Sequence, residues 1–365
     1  MRQGIDSLMI LRPRAAMLSE PRRPAPRPSE DAMADARRFP AFLVHRTESG
    51  ACRGEVRTDL SLDQLPEGDL LVRVDWSSLN YKDALSATGH PGVTRTYPHV
   101  PGIDAAGTVV SGGAPRFQPG DPVVVTGHRL GMDHWGGFAR YIRVPADWAV
   151  PLPPGLSARD SMRLGTAGFT AALAVDAVLA GCRAPGAAPV LVTGATGGVA
   201  VIAIALLARL GLPVTAVSRK QGSLKARLVQ LGAKEVLAPE ELDPGPKPLA
   251  RERWSGVVDT VGGPGLEGLL KSTAAGGVVA TSGMVAGNQF SSSVYPFILR
   301  GVTLAGIDSA EQPMQRRLAI WERLAGSWKL DLEPICDEIG LDGIPGAVRE
   351  MLAGTHVGRT VVHLN

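Results

Sequence analysis

One stretch limits what this chain can fold into more than any other: VLVTGATGGVAVIAIALLA, residues 190–208. Its opening, Val190–Gly194, is a short aliphatic run that reads as a buried strand, and its continuation, VAVIAIALLARLG, reads as an apolar helix. Between them stands Gly194-Ala195-Thr196-Gly197-Gly198-Val199-Ala200. Glycine is needed where the backbone turns tightly and where a pyrophosphate must reach bare N–H groups. The helix start then adds unpaired donors and about half a positive charge. Gly197 and Gly198 can give that approach, and Ala200 stands where a third glycine or an alanine lets helix and strand pack closely. The expectation is a dinucleotide site; the plain alternative is an ordinary strand-to-helix turn.

The next strand selects the dinucleotide. A unit that holds NAD places an acid about 20 residues on, for the ribose 2′-OH. Here PVTAV runs into Ser218-Arg219-Lys220. Two cations and a hydroxyl suit a 2′-phosphate, so NADPH is expected in preference to NADH, with a solvated cationic turn as the alternative. The helix SLKARLVQLGA and the strands GVVDTVGG and GGVVATSG continue the alternation. Near-continuously apolar strands between helices indicate a doubly wound parallel sheet covered on both faces.

Elsewhere the pattern differs. From Phe39 to about Pro153, short runs (FPAFLVHR, DLLVRVDWSS, GTVVSG, DPVVVTG, GFARYIRV) alternate with glycine and proline, which suggests a small β-rich, barrel-like domain. After about Asp308 the chain turns helical (MQRRLAIWERLAGSW) and ends in the strand GRTVVHLN, expected to return to the first domain. Residues 1–38 hold eight arginines and five acids, which accounts for the whole net charge of +3 and leaves a neutral body. Such a body lacks the concentrated basic face that nucleic acids require. The Arg/Pro-rich segment is expected to be a disordered extension, with Met33 available as a start and a targeting role as the alternative. The run Val199–Ala208 is shorter than the ~18 residues a bilayer span needs, so no membrane partner is expected. Cys52, Cys182 and Cys336 lie far apart and form no CxxC, as reduced thiols of a cytoplasmic protein would.

The motifs WSSLNYKDAL (Trp76–Leu85), PGIDAAGTV (Pro101–Val109), HWGGFAR (His134–Arg140), GTAGFTA (Gly165–Ala171), TGATGGVA (Thr193–Ala200), VDTVGG (Val258–Gly263), PFILRGVTLAGIDS (Pro296–Ser309) and GRTVV (Gly358–Val362) follow in order. With them, the body from Phe39 to Asn365 resembles the medium-chain dehydrogenase/reductase superfamily. More closely it resembles the zinc-free quinone-oxidoreductase branch, and within that the NADPH-dependent acrylyl-CoA reductase group. The resemblance implies an α/β architecture: a GroES-like β-barrel catalytic domain (residues 39–163 and 308–365) and a Rossmann-type doubly wound NADPH-binding domain (residues 164–307). It also implies a homodimer paired through an edge strand, for which Gly301–Ile307 is the candidate.

Zinc-dependent members place a Cys near the SSLNYKD turn, a His-Glu pair after the following glycine, and a lobe of four further Cys. Here those places read Asn80-Tyr81 and Gly102-Ile103-Asp104, with no Cys lobe. Catalytic zinc takes three suitable protein ligands, and His128 with His134 lack a third nearby, so no metal is expected. The implied reaction is then reduction of a substrate already activated by conjugation. Hydride goes to the β-carbon of an α,β-unsaturated acyl-CoA, with acrylyl-CoA to propanoyl-CoA the leading case. The protein's tasks are orientation, water exclusion and donors aimed at the developing oxyanion. Two alternatives stand beside it, a quinone or enone reductase and a non-catalytic NADPH-binding redox sensor.

Tyr81 is the first catalytic candidate, because a tyrosine phenol keeps its proton at neutral pH; it either donates that proton or only positions the nicotinamide. Asn80 is the second, as an amide donor or as a structural residue. Asp83 reads as a cap for the helix beginning ALSATG, and Asp104 as a hydrogen-bonded carboxylate bordering the cleft. The resemblance carries Thr196, Gly197, Gly198 and Val199 to the pyrophosphate and Ser218, Arg219 and Lys220 to the adenosine phosphate. It carries Ile298, Ser309 and Arg359 to the nicotinamide half, while Met284 stands where strand ends face the ligand. Trp135 and Phe138 either line the acyl pocket or pack, and Arg300 either meets a CoA phosphate or pairs structurally.

Overall fold

The computed structural model describes residues 38–220, 222–242 and 245–364; the expectation for the N-terminal extension lies, Arg38 apart, outside them. The strand–helix alternation after residue 190 builds a six-stranded sheet. Its spatial order is Ala233–Leu237, Val214–Val217, Val190–Val192, Trp254–Asp259, Thr273–Thr281, Thr303–Gly306. All pairings are parallel. Val190 and Val192 face one buried cluster with the helices Ala158–Gly181 and Gly198–Arg209, while Leu191 faces another with the helix Gly265–Ser272. Burial on both faces is why these strands read as unbroken apolar runs. The order reverses at Val190–Val192, so a crevice opens beyond its carboxyl end.

The other strands form a mixed seven-stranded sheet and a hairpin. Along the main path of the sheet lie Cys336–Ile339, Arg359–His363, Leu70–Leu79, Asp104–Gly112, Pro122–Thr126 and Ala149–Pro151, with Tyr141–Val144 also on Leu70–Leu79. The C-terminal strand pairs antiparallel with Leu70–Leu79, with residue 360 opposite residue 79. Phe39–Arg46 pairs with Cys52–Leu60. The second of these two strands was not anticipated, because CRGEVRTDL is a largely exposed edge without the apolar alternation that marks a strand.

Ala158–Gly181 was not anticipated as a helix either. It is long and apolar enough to cross a membrane by length and composition, unlike the shorter run considered above, but most of it is buried inside the protein. It packs on the helix Gly198–Arg209 and on strands of both sheets, so its covering is protein. At Gly165 (φ +52°, ψ −156°) the helical path breaks, and a Cβ there would strike Asp104 and Ser78.

Candidate active site

Gly194 adopts φ +59°, and a Cβ on it would run into the Thr260 hydroxyl. That hydroxyl donates to the Thr193 carbonyl (2.9 Å), and Thr193 Oγ1 donates to Asp259 Oδ1 (2.7 Å). The buried Asp259 carboxylate also accepts from Val261 N (3.2 Å), Gly262 N (3.0 Å) and Thr281 Oγ1 (2.8 Å). It thus knots the ends of three neighbouring strands beside the loop. Sequence reasoning missed this role, whose one signal was an acid closing an otherwise aliphatic strand. Gly197 is the N-cap of Gly198–Arg209, and no side chain caps it. First-turn N–H groups without an intrahelical acceptor, behind an exposed glycine, are a fit for a pyrophosphate.

At the neighbouring strand end, Ser218 Oγ is engaged within its own turn, accepting from Lys220 N (3.0 Å) and donating to Lys220 O (3.1 Å). Lys220 Nζ donates to the His356 carbonyl (2.9 Å). Burial, then the charge of Arg219, pull Lys220 below the ordinary lysine range. Arg219 is exposed and has no partner among the described residues. The free cation of the trio is therefore Arg219.

The helix expected to begin at ALSATG begins earlier, spanning Tyr81–Ala87 with Asn80 as N-cap. Asp83 is then its third residue and reaches back, Oδ2 accepting from Asn80 N (2.7 Å). Its Oδ1 accepts from Gly102 N (3.0 Å) and Ile103 N (2.8 Å), tying the helix start to the PGIDAAG turn. Burial, with the Asp104 charge adding to it, pushes the Asp83 carboxyl up to about 7. Tyr81, at the first helical position, is 46% exposed, and its phenol has no partner among the described residues.

Of the two readings open for Asn80, amide donor or structural residue, the hydrogen bonds favour the second. Its Nδ2 donates to Asp104 Oδ2 (2.7 Å) and its Oδ1 accepts from Arg359 Nη1 (3.2 Å), so the amide is committed inward. Asp104 is fully buried and also accepts from Ser78 Oγ (2.6 Å), Thr166 Oγ1 (2.5 Å) and Thr166 N (2.9 Å). Arg359, which the resemblance carries to the nicotinamide half, is buried. Its Nε donates to Arg163 O (3.1 Å), Nη1 to Leu79 O (3.2 Å) and Asn80 Oδ1, and Nη2 to Ser78 Oγ (2.9 Å) and Met162 O (3.4 Å). The five N–H donors of the guanidinium thus meet five acceptors within the chain. Its stem lies against the phosphate loop, since a Cβ on Gly198 would meet Arg359 Cδ at 3.1 Å.

Thr196–Val199, Ser218–Lys220, Met284 and Ser309 all follow carboxyl ends of strands in the parallel sheet. Ser309 shares a hydrogen bond with Thr170 (2.8 Å). Its carbonyl is held by the buried Arg317, which also donates to Thr126 O (2.8 Å) and Gln312 O (3.1 Å). Sequence reasoning missed Thr166, Thr170 and Arg317. Met284 (70% exposed) and Ile298 (69% exposed) belong to an open apolar segment with Val285, Val294 and Leu299. Ile298 lies on the helix Tyr295–Arg300 and not at a strand end. Arg300 resolves to a structural role: it donates to Lys271 O (2.8 Å) and Ala250 O (2.6 Å) and pairs with Glu252. Phe138 is core, and Trp135 donates to Pro98 O (3.3 Å). His128 stacks on Trp148, and His134 meets that ring edge-on.

A doubly wound nucleotide-type sheet beside a second, mostly antiparallel lobe defines a two-lobed dehydrogenase/reductase architecture. Residues 66–154 match the alcohol dehydrogenase GroES-like domain, and residues 198–322 match the zinc-binding dehydrogenase domain. The chain is 46% identical over 330 residues to acrylyl-CoA reductase AcuI of Ruegeria pomeroyi, covering 90% of this chain and 99% of that protein. It belongs to the medium-chain dehydrogenase/reductase superfamily and is an oxidoreductase. Escherichia coli K-12 YhdH, solved with bound NADPH, superposes with a TM-score of 0.85 at 42% identity, covering 89% of this chain and 100% of that one. Bacillus subtilis YhfP, named as a quinone oxidoreductase and solved with NAD bound, gives 0.86 at 43% identity, covering 90% and 99%.

Proposed function

We propose that this protein is an NADPH-dependent reductase of α,β-unsaturated acyl-CoA thioesters, with acrylyl-CoA as its substrate and propanoyl-CoA as product. The observation that carries this is the half-exposed Tyr81 with an unengaged phenol, held at the edge of the phosphate loop through Asn80 and Arg359. When bound, NADPH supplies hydride to the β-carbon. Tyr81 donates to the thioester oxygen as charge builds there, and its proton is then available to the α-carbon. Asn80, Asp83 and Asp104 hold the helix start that presents it. Gly197–Val199 bind the pyrophosphate through backbone donors, and Arg219 reads the 2′-phosphate; no acid stands at that strand end to favour NAD.

The reaction is proposed to run without zinc. At the two places where zinc-dependent relatives carry ligands, Asn80 and Asp104 are hydrogen-bonded to each other, and Ile103 offers no donor atom. No three His, Cys, Asp or Glu converge among the described residues. We further propose a cytoplasmic homodimer, formed through the edge strand Thr303–Gly306 and the apolar segment around Ile298 and Leu299.

Following NADPH absorbance with acrylyl-CoA, crotonyl-CoA, a simple quinone and no acceptor tests the reading. Rapid oxidation with acrylyl-CoA is expected. Preference for the quinone, the reading that the likeness to YhfP favours, would overturn the substrate assignment.

A further inference from the structure

Arg359 and Gly358 touch the phosphate loop and the cap of Tyr81 at the same time. On the loop side, Gly358 N donates to Thr196 O (2.9 Å) and the Arg359 stem abuts Gly198. On the tyrosine side, Arg359 Nη1 donates to both Leu79 O and Asn80 Oδ1, the two residues preceding Tyr81. The segment is braced from behind. Gly358 has φ +78°, and a Cβ there would strike the Ile335 carbonyl, while Arg359 opens a strand paired with Leu70–Leu79 and Cys336–Ile339. A displacement at Gly198 therefore has no free space to relax into behind Arg359. The hydrogen-bond partners of Arg359 are all neutral oxygens, and the nearest carboxylate on the network, Asp104, is reached only through Ser78 and Asn80. Arg359 thus makes no ion pair among the described residues, although the Asp104 and Asp83 carboxylates act on it through space. Negative charge arriving in the loop is expected to register at the Asn80 bond.

We propose that Arg359 is a positioning residue that couples occupancy of the phosphate loop to the placement of Tyr81. The proposal rests on the NADPH site proposed above. By linkage the effect is reciprocal, so a change at the Tyr81 cap alters phosphate affinity in turn. Contiguity alone does not establish coupling, so the decisive measurement reads Tyr81 itself.

The chain has four tyrosines, so 3-fluorotyrosine labelling gives few ¹⁹F resonances, and Tyr81→Phe assigns the one that matters. The probe is 2′-phosphoadenosine 5′-diphosphate, which carries the 2′-phosphate and the pyrophosphate but neither nicotinamide nor its ribose. Saturating probe is expected to move the Tyr81 resonance in the wild type. Arg359→Lys is expected to bind the probe about tenfold more weakly and, at saturation, to leave that resonance unmoved. Gly198→Ala, which presses a Cβ on the Arg359 stem without touching the Tyr81 cap, is expected to shift the resonance before any probe is added. A wild-type resonance indifferent to saturating probe, or an equal shift in Arg359→Lys, overturns the proposal. Should Arg359→Lys not fold, an unmoved resonance in Gly198→Ala overturns it equally. Inactivity towards acrylyl-CoA with a Tyr81 resonance that still moves removes the substrate reading and leaves the coupling intact.

Discussion

The phosphate loop and the polar hub beneath Tyr81 meet at Gly198, yet they are made in opposite ways. The loop presents backbone: glycines, an uncapped helix start, and a threonine whose carbonyl alone is engaged. The hub is made of side chains: Ser78, Asn80, Asp83, Asp104, Thr166 and Arg359, buried or nearly so and saturated by one another or by neighbouring main chain. The loop must stay open to receive charged oxygens from outside. The hub has to exclude water, because an unpaired polar group there would cost about 1–3 kcal/mol. One region is proposed to bind by what it leaves unsatisfied, the other to position by leaving its polar groups paired.

That contrast can be broken at several points. The largest effect is expected where the hub delivers its product: Tyr81→Phe should lower kcat by ~10²–10⁴, as for a lost general acid. Steady-state rates with saturating NADPH and acrylyl-CoA measure this, and an unchanged kcat with a raised NADPH KM would make Tyr81 a cofactor contact only. Next, Asp104→Ala should cost about 1–3 kcal/mol of stability for each buried donor it strands, on Ser78, Asn80 and Thr166. Thr196→Ala in the loop should stay within about 0.5 kcal/mol. Urea unfolding of the two variants side by side measures both, and equal losses would erase the distinction.

A smaller effect belongs to the loop's rim. Arg219→Ala should weaken NADPH by about 1.5–3 kcal/mol, the range for a hydrogen bond to a charged group, and leave NADH unaltered. Equal weakening of both in a fluorescence titration would show that Arg219 does not read the 2′-phosphate. The smallest effect concerns pH. Burial holds His99 and His128 down at about 4, against an ordinary value of 6.5. As pH falls from 6.5 towards 4 the unfolded chain takes up protons that the folded one refuses, so stability is lost across that window. Asp83 acts in the other direction: held up at about 7, its contribution is complete below about pH 4 and is lost as pH rises through 7. The urea midpoint of the wild type should drop between pH 7 and pH 5, and His99→Gln should drop less; identical slopes would remove His99 from the account.

The loop was legible in the sequence because its parts are consecutive: strand, glycines and apolar helix occupy nineteen residues, 190–208. The hub was legible only in fragments. Asn80 and Asp83 could be read as a possible donor and a cap, but their partners sit 24 and 19 residues away at Asp104 and Gly102, and Arg359 is 279 residues from Asn80. Arg359 was therefore read as a cofactor contact, and Asn80 was left open between a donor and a structural residue, since each looks free until its partners are known. Arg317 was invisible for the same reason: nothing in MQRRLAIWERL distinguishes one buried arginine from its exposed neighbours.

By itself, then, the sequence determined the parallel sheet, the phosphate loop and the cationic strand end that follows it. These depend on period, glycine placement and residue chemistry within a short span, all local properties of a chain. Only the tertiary structure decided which polar side chains are spent on one another and which remain free for chemistry. Hydrogen-bond saturation is a property of groups brought together by folding, and it left Tyr81 and Arg219 open while closing Asn80 and Arg359.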